Sequence, residues 1–389
     1  MTKKYPIALW TLVVGAFAIG MTEFVIMGLL PEVAQDVHST IPAAGQLITG
    51  YALGVAIGGP ILVIITYKMS QKNLLMLLML IFCLGNLMST VAENYGVLMA
   101  SRLITSLAHG SFFGVGAIMA ANLVEYSRRA SAMALMFAGL TVSNILGVPF
   151  GTFIGQQLGW RSSFFIIAII GFITLIGIFL LVPKNDQQKK INIKQELVVL
   201  KSGNLWLALL IAMFSFGSVF TLVTYITPIL TDVTGYHSST VSWLLVVFGL
   251  GVTIGNMVGG KMADWNINKS LFISLIALVV YLFLFYFFQF SVILMVPGIF
   301  IFGVLAFAMI PMLQFRILGV SADAPTLAST LNQSALNLGN AGGAFIGGMS
   351  IKYLPLKDLV LVAPFITLIG LFLFYMQVKM TKARVPIEE

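Results

Sequence analysis

Glu23 stands inside the first long apolar run, between Thr22 and Phe24, whereas the other acidic residues lie in or at the edge of polar connections. Arg102 and His109 are embedded in a later run, seven residues apart. Seven residues is nearly two helical turns, so the two share one face, about 10 Å apart along the axis, with Thr105 and Ser106 between them on that side. Glu23 and Arg102 also lie at similar distances from the same ends of their runs. A carboxylate, a guanidinium and an imidazole at matched depth can form an ion pair or relay a proton through water. A nearby cation favours the carboxylate and desolvation favours the neutral acid, so a glutamate that alternates between such surroundings can take up and release a proton. The same groups can also form a static pair that locks two helices. Neither arrangement is cheap: insertion scales put Asp, Lys or Arg at the centre of a membrane helix at about 2.5–3.5 kcal/mol.

The elements that hold these groups follow from composition. The chain has 389 residues, 59% hydrophobic and 9% charged, against about 25% charged in soluble domains. Apolar runs of helix-spanning length recur throughout, without the alternation of a transmembrane barrel. The fold class is therefore an all-α polytopic membrane protein. Twelve spans are expected, at 7–30, 42–66, 74–92, 96–122, 131–155, 162–182, 205–229, 238–260, 270–290, 293–316, 326–351 and 357–379. The polar stretch 183–204 divides them into an N-terminal bundle (1–182) and a C-terminal bundle (205–389). The first run follows Lys3 and Lys4 but is too long for a signal peptide, and it reads as a retained span.

Lysine and arginine orient the spans. With the N-terminus inside, seventeen fall on inner connections, among them Lys68, Lys72, Lys184, Lys189, Lys190, Arg316 and Arg384. Three (Arg161, Lys352, Lys357) fall on outer ones, and Arg102 lies within a span. This asymmetry places both termini in the cytoplasm. It also accounts for the net charge of +8 without a nucleic-acid partner. Cys83 is the one cysteine, so no intramolecular disulfide forms.

The halves repeat. At a shift of 197 residues Gly20 meets Gly217, Pro31 meets Pro228, Gly54 meets Gly251, Gly58 meets Gly255 and Lys72 meets Lys269, while Tyr51 meets Phe248 and Glu23 meets Phe220. Late in each half, 150–155 resembles 342–347 at a shift of 192. Parallel repeats of this kind place a site where the halves meet and suit alternating access. Clustered glycines among the 37 in the chain allow close helix approach, and Pro149 is expected to kink its span. Candidate solute-lining residues are Met27, Tyr51, Phe113, Thr141, Asn144, Thr221, Tyr225, Trp243, Asn332 and Asn337. The second half offers amides and aromatics there, including Gln333 and Asn340, and no embedded charge; this suits a neutral or amphipathic solute. Interhelical hydrogen bonding, and for Phe112 and Phe113 plain packing, are the competing roles. No HExxH, phosphate loop or nucleophile elbow is present, so no enzyme, cofactor or metal is expected.

The assembled pattern resembles the major facilitator superfamily over essentially the whole chain. Gly260-Lys261-Met262-Ala263-Asp264 with Lys269 is similar to its loop motif, whose first-half copy has Tyr67 in place of the acid. Arg102 matches the span-4 arginine, with Ser106 where glycine is usual, and Gly139 with Gly147-Val148-Pro149-Phe150-Gly151 resembles the span-5 antiporter motif, with Val148 inserted. Finer features resemble the arabinose-efflux (AraJ-type) branch of drug:proton antiporters: Glu23-Phe24, 28–32, 41–45, 51–54, 109–114 and Trp160-Arg161. The resemblance implies a monomeric, proton-coupled exporter of small organic solutes in a bacterial-type plasma membrane, with Asp264, Lys269, Gly147, Pro149 and Gly151 in gating or structural roles. An importing symporter or facilitator for a sugar or nucleoside is the alternative.

Overall fold

Backbone N–H and C=O groups in a bilayer must be satisfied within the protein, and runs of this length and apolarity do so as helices. The computed structural model describes residues 5–66, 69–125, 128–183, 198–321 and 325–383. Tyr67, the basic residues Lys3, Lys4, Lys68, Lys184, Lys189, Lys190, Lys194 and Arg384, and most of the 183–204 connection lie outside them.

The first six long helices are α1 (Ile7–Gly28), α2 (41–65), α3 (Gln71–Thr90), α4 (Tyr95–Asn122), α5 (129–158) and α6 (Trp160–Leu181). The next six are α7 (Gly203–Val223), α8 (238–265), α9 (267–288), α10 (Val292–Val320), α11 (Pro325–Tyr353) and α12 (Val362–Ala383). Helices α8 and α9 run on as Ser238–Phe288, but Asn266 leaves helical geometry (φ −165°, ψ 101°) and separates them. Counting Ser238–Phe288 once, ten helices among the described residues are long and apolar enough to cross a membrane; α11, rich in glycine and amides, is a further long helix. Twelve helices in two sets of six match the expected spans.

Local chemistry fixes the helix starts. The side chains of Thr40, Ser70, Asn94, Ser202 and Ser291 accept from backbone N–H groups of the first turns of α2, α3, α4, α7 and α10, meeting donors that no helical carbonyl reaches. Gly159, at φ 87°, makes the sharp turn between α5 and α6, a conformation that glycine adopts freely. Pro149 sits just after a π-helical turn at Ser143–Gly147, in which the Val148 N–H bonds the Ser143 carbonyl. The extra residue in the turn absorbs the break in the hydrogen-bond ladder that the proline imposes.

The chain forms two compact units: Met1–Lys190 with Tyr236–Gly249, and Ile191–Gly235 with Leu250–Glu389. The start of α8 thus groups with the first unit, unlike the division read from the sequence. The contacts explain this. Gln156 donates to the Ser238 carbonyl (3.1 Å) and accepts from the Ser242 hydroxyl (3.3 Å), and a Cβ on Gly249 would lie 2.3 Å from the Asn144 carbonyl.

In the first unit α1 is buried on nearly every side and packs on α5 and α6, while α3 packs on α4 and α6. A Cβ on Gly139 would meet the Val13 carbonyl at 2.2 Å, so α1 and α5 touch backbone to backbone there. The corner between α5 and α6 is pinned by Arg161, whose Nη1 lies 2.6 Å from Asp36 Oδ2 and whose Nε donates to the Ala92 carbonyl (3.1 Å). In the second unit α7 packs on α11, α12 and α10, with Gly339 and Gly343 against the backbone of Met213 and Gly217.

Candidate functional site

Helices α1, α2 and α4 bring the embedded groups of the first unit together. Glu23, Arg102, His109 and Tyr51 are all buried, the most exposed being Glu23 at 8%. His109 Nδ1 lies 3.9 Å from Glu23 Oε2 and 3.1 Å from the Tyr51 hydroxyl. Arg102 reaches α1 one residue away from the acid: its Nη1 donates to the Thr22 carbonyl (2.7 Å), and its guanidinium lies 4.0 Å from the centre of the Tyr51 ring. Arg102 Nε and Nη2 are buried without a hydrogen-bond partner among the described residues. Of the two pairings expected for Glu23, the one within 4.0 Å is therefore with His109, while Arg102 acts through its field. The result is a line from carboxylate to imidazole to phenol beside a buried cation, which can hold a proton at more than one point.

The neighbouring residues aim this line. Thr105 and Ser106 flank it, Thr105 against Gly85 of α3 and Ser106 against Gly54 of α2, where added Cβ atoms would lie 2.1 and 1.9 Å from the two hydroxyls. Ser106 thus fills the space that the glycine of α2 leaves open. Asn86 of α3, absent from the sequence candidates, accepts from the Thr22 hydroxyl (2.6 Å) and donates to the Phe82 carbonyl (2.9 Å). It fixes the stretch of α1 to which Arg102 is bonded. A polar residue in the middle of an apolar run was the signal for it.

Phe113 stacks on Phe137 (5.5 Å between centroids) and meets the His109 ring edge-on (5.4 Å). Met27 is buried, and Thr141 and Asn144 are half-buried on α5. Gly147 lies against Phe17, and Gly151 against Met21 and Val25, so with Pro149 they shape the α1–α5 contact. Trp243 is 72% exposed.

In the second unit Thr221 and Tyr225 are fully buried, and their hydroxyls are spent on the carbonyls of Gly217 (3.0 Å) and Ala344 (2.9 Å). Asn332 and Asn337 are buried on α11. Asp264 and Lys269 are exposed at the α8–α9 turn, where the Lys269 N–H donates to Asn266 (3.0 Å). Among the described residues no three His, Cys, Asp or Glu side chains converge as a metal site.

A family model described as Major Facilitator Superfamily matches residues 12–344. The chain belongs to that superfamily. It is 42% identical over 352 residues to the inner membrane transport protein YdhP of Escherichia coli (strain K12), covering 90% of each chain. It is 33% identical to the putative transporter AraJ of the same strain (88% and 87% covered) and 29% identical to a chloramphenicol resistance protein of Streptomyces lividans (90% of each). Its fold matches that of a bacterial homologue of the human lysosomal transporter Spinster, with a TM-score of 0.77 at 14% identity and 96% of each chain covered. This superfamily member is accordingly a multi-pass membrane transporter of small solutes and not an enzyme, and the resemblance to the AraJ branch holds.

Proposed function

We propose that this transporter is a proton-coupled efflux antiporter, with Glu23 as the proton carrier and His109, Tyr51 and Arg102 setting its affinity. The observation that carries the reading is the buried Glu23 carboxylate 3.9 Å from an imidazole that also meets a phenol. A structural ion pair would spend the charge of Arg102 directly on the acid; here the cation is bonded to the Thr22 carbonyl, which leaves the carboxylate able to exchange its proton. Protonated Glu23 belongs to the state open to the outside, and solute arriving from the cytoplasm displaces the proton. A proton moving inward gains about 2.3 kcal/mol per 100 mV of membrane potential, enough to drive outward accumulation of a solute. The span-5 motif and the relative named for chloramphenicol resistance support the outward direction. The excess of inner lysine and arginine supports cytoplasmic termini. The transporter acts as a monomer in a bacterial-type plasma membrane.

The test is proton release from purified protein in unbuffered detergent solution, on addition of lipophilic cations, sugars and nucleosides in turn. One class should release protons, and Glu23→Gln should bind that class without release and lose all proton-driven export while staying folded. Binding without release in the wild type would make the protein a facilitator and Glu23 a packing residue.

A further inference from the structure

Buried amides in this molecule fall into two groups. Asn86 and Gln377 use both ends of the side chain. Asn86 donates to Phe82 and accepts from Thr22; Gln377 donates to the Asn204 carbonyl (2.8 Å) and accepts from Arg316 Nε (2.9 Å). These are structural amides, satisfied as buried polar groups are expected to be. Asn332, Asn337 and Asn340 of α11 are also buried, at 1%, 4% and 2% exposure. Yet the side-chain oxygen of each accepts no hydrogen bond among the described residues.

Their orientation is set where a nitrogen is engaged. Asn337 Nδ2 donates to the Gln333 carbonyl (2.9 Å), an acceptor that only the nitrogen can meet, so the oxygen is the atom left over. Asn332 Nδ2 donates to Gln314 Oε1 (2.5 Å). Asn337 and Asn340, three residues apart, are separated by about 60° around the helix. They lie to one side of the glycine face by which α11 meets α7, Asn340 nearer to it than Asn337; there Gly339 and Gly343 leave no room for a Cβ. Gln289, just after α9, is likewise buried with an unpartnered Oε1 among the described residues, its Nε2 donating to the Tyr286 and Lys357 carbonyls. Only on α11 do such amide acceptors recur along one helix, and each disfavours the empty fold because no protein donor meets it.

We infer that this face of α11 is a solute-recognition surface, and that it selects solutes presenting clustered N–H or O–H donors with no negative charge. The inference rests on the transport reading above and names its substrate class. The chemistry is one-sided: carbonyl oxygens welcome amide, hydroxyl or ammonium hydrogens and repel a carboxylate or phosphate. The one charged side chain buried among the described residues of this unit is Arg316, and its guanidinium is already engaged by Gln377, Asn268 and the ring of Phe374. It therefore offers little to an anion.

The test uses purified full-length protein and equilibrium binding at fixed pH. The probes are chloramphenicol, a neutral molecule with an amide N–H and two hydroxyls; its diacetate, in which both hydroxyls are capped; and its anionic succinate ester. The wild type should bind the parent at least about tenfold more tightly than either derivative. Asn337→Leu with Asn340→Leu should lose about tenfold for the parent, keep its weak binding of the diacetate, and unfold at the same temperature or higher. Leucine fills a similar volume and removes the orphaned acceptors. The single Asn337→Leu variant carries the same expectation if the double variant does not fold. Equal binding of the three probes, binding of none, or wild-type discrimination in the variants would overturn the inference, as would a lowered unfolding temperature with discrimination kept. The outcome is separable from proton coupling: discrimination without proton release would defeat the antiport reading alone, and release without discrimination would defeat this one alone.

Discussion

On α2, Gly54 lies against Ser106 and the Leu103 carbonyl of α4, and Gly58 against Leu107; on α8, Gly251 lies against the Phe300 carbonyl and Gly303 of α10, and Gly255 against Val304. Every partner pair is displaced by the same 197 residues as the glycines themselves. This shared register identifies what the second half puts in place of the polar cluster. Glu23 becomes Phe220, Arg102 becomes Ile299, His109 becomes Ala306 and Tyr51 becomes Phe248. Phe220, Ile299 and Ala306 are fully buried, and Phe220 packs on Phe216 (4.9 Å between centroids), which in turn meets Phe307 (5.8 Å). The same helix crossings thus form around charge in one half and around hydrocarbon in the other. Close approach at small residues sets the crossings, so the buried charge is dispensable for the fold and its presence calls for a function.

The strongest challenge to this comparison is to move the charge. Phe220→Glu places a carboxylate among Phe216 and Phe307 without the cation that the first half provides. It should destabilise the protein by about 3 kcal/mol or more, read as a fall in thermal unfolding temperature or loss of folded yield. Wild-type stability in that variant would mean that the second half is a latent polar site and that the contrast between halves is only one of sequence.

A smaller effect tests the shared crossings. Gly251→Ala meets the backbone at the Phe300 carbonyl, 2.3 Å away, and should cost about 1–3 kcal/mol with no local remedy. Gly54→Ala meets the Ser106 hydroxyl at 1.9 Å, and adding Ser106→Gly, which removes that hydroxyl and puts at 106 the glycine that the second half has at Gly303, should restore most of the lost stability. Failure of that rescue in a double-mutant cycle would show that the two crossings are not equivalent.

The smallest expected effect is a pH slope. Glu32, just beyond α1, corresponds to Ile229 in the second half. Burial holds its carboxyl above the ordinary carboxylate range, partly offset by hydrogen bonds from backbone and Gln156. The folded protein therefore keeps the proton to higher pH than the unfolded chain, and stability falls as pH rises from the ordinary glutamate value through the raised one. Unfolding temperature measured across this window should decline in the wild type and flatten in Glu32→Gln. An unchanged slope in the variant would remove Glu32 as its source.

Glu23, Arg102 and His109 could be read from the chain because charge inside an apolar run has few innocent explanations, and matched depth on two helices allowed them to meet if those helices adjoin. Hydroxyls and amides were harder. Thr221 and Tyr225 have the right chemistry to line a cavity, but their hydroxyls bond the Gly217 and Ala344 carbonyls. Asn86 escaped selection because a single mid-span amide is common, and its bond to Thr22 joins helices far apart in sequence. Asn337 and Asn340 were visible as amides, but only the folded chain separates an amide satisfied at both ends from one with an orphaned oxygen.

By itself the sequence determined the class, the twelve spans, the repeat and the identity of the charged cluster. Those properties depend on local apolarity, on period and on the cost of charge in a bilayer, all of which are written along the chain. The tertiary structure decided the partners: that His109 and not Arg102 lies nearest the Glu23 carboxylate, that Arg102 bonds a backbone carbonyl, that the start of α8 joins the first unit, and which amide oxygens are left without a donor. Each of these turns on a few ångströms between residues tens of positions apart, a distance that helix packing sets and no local pattern encodes.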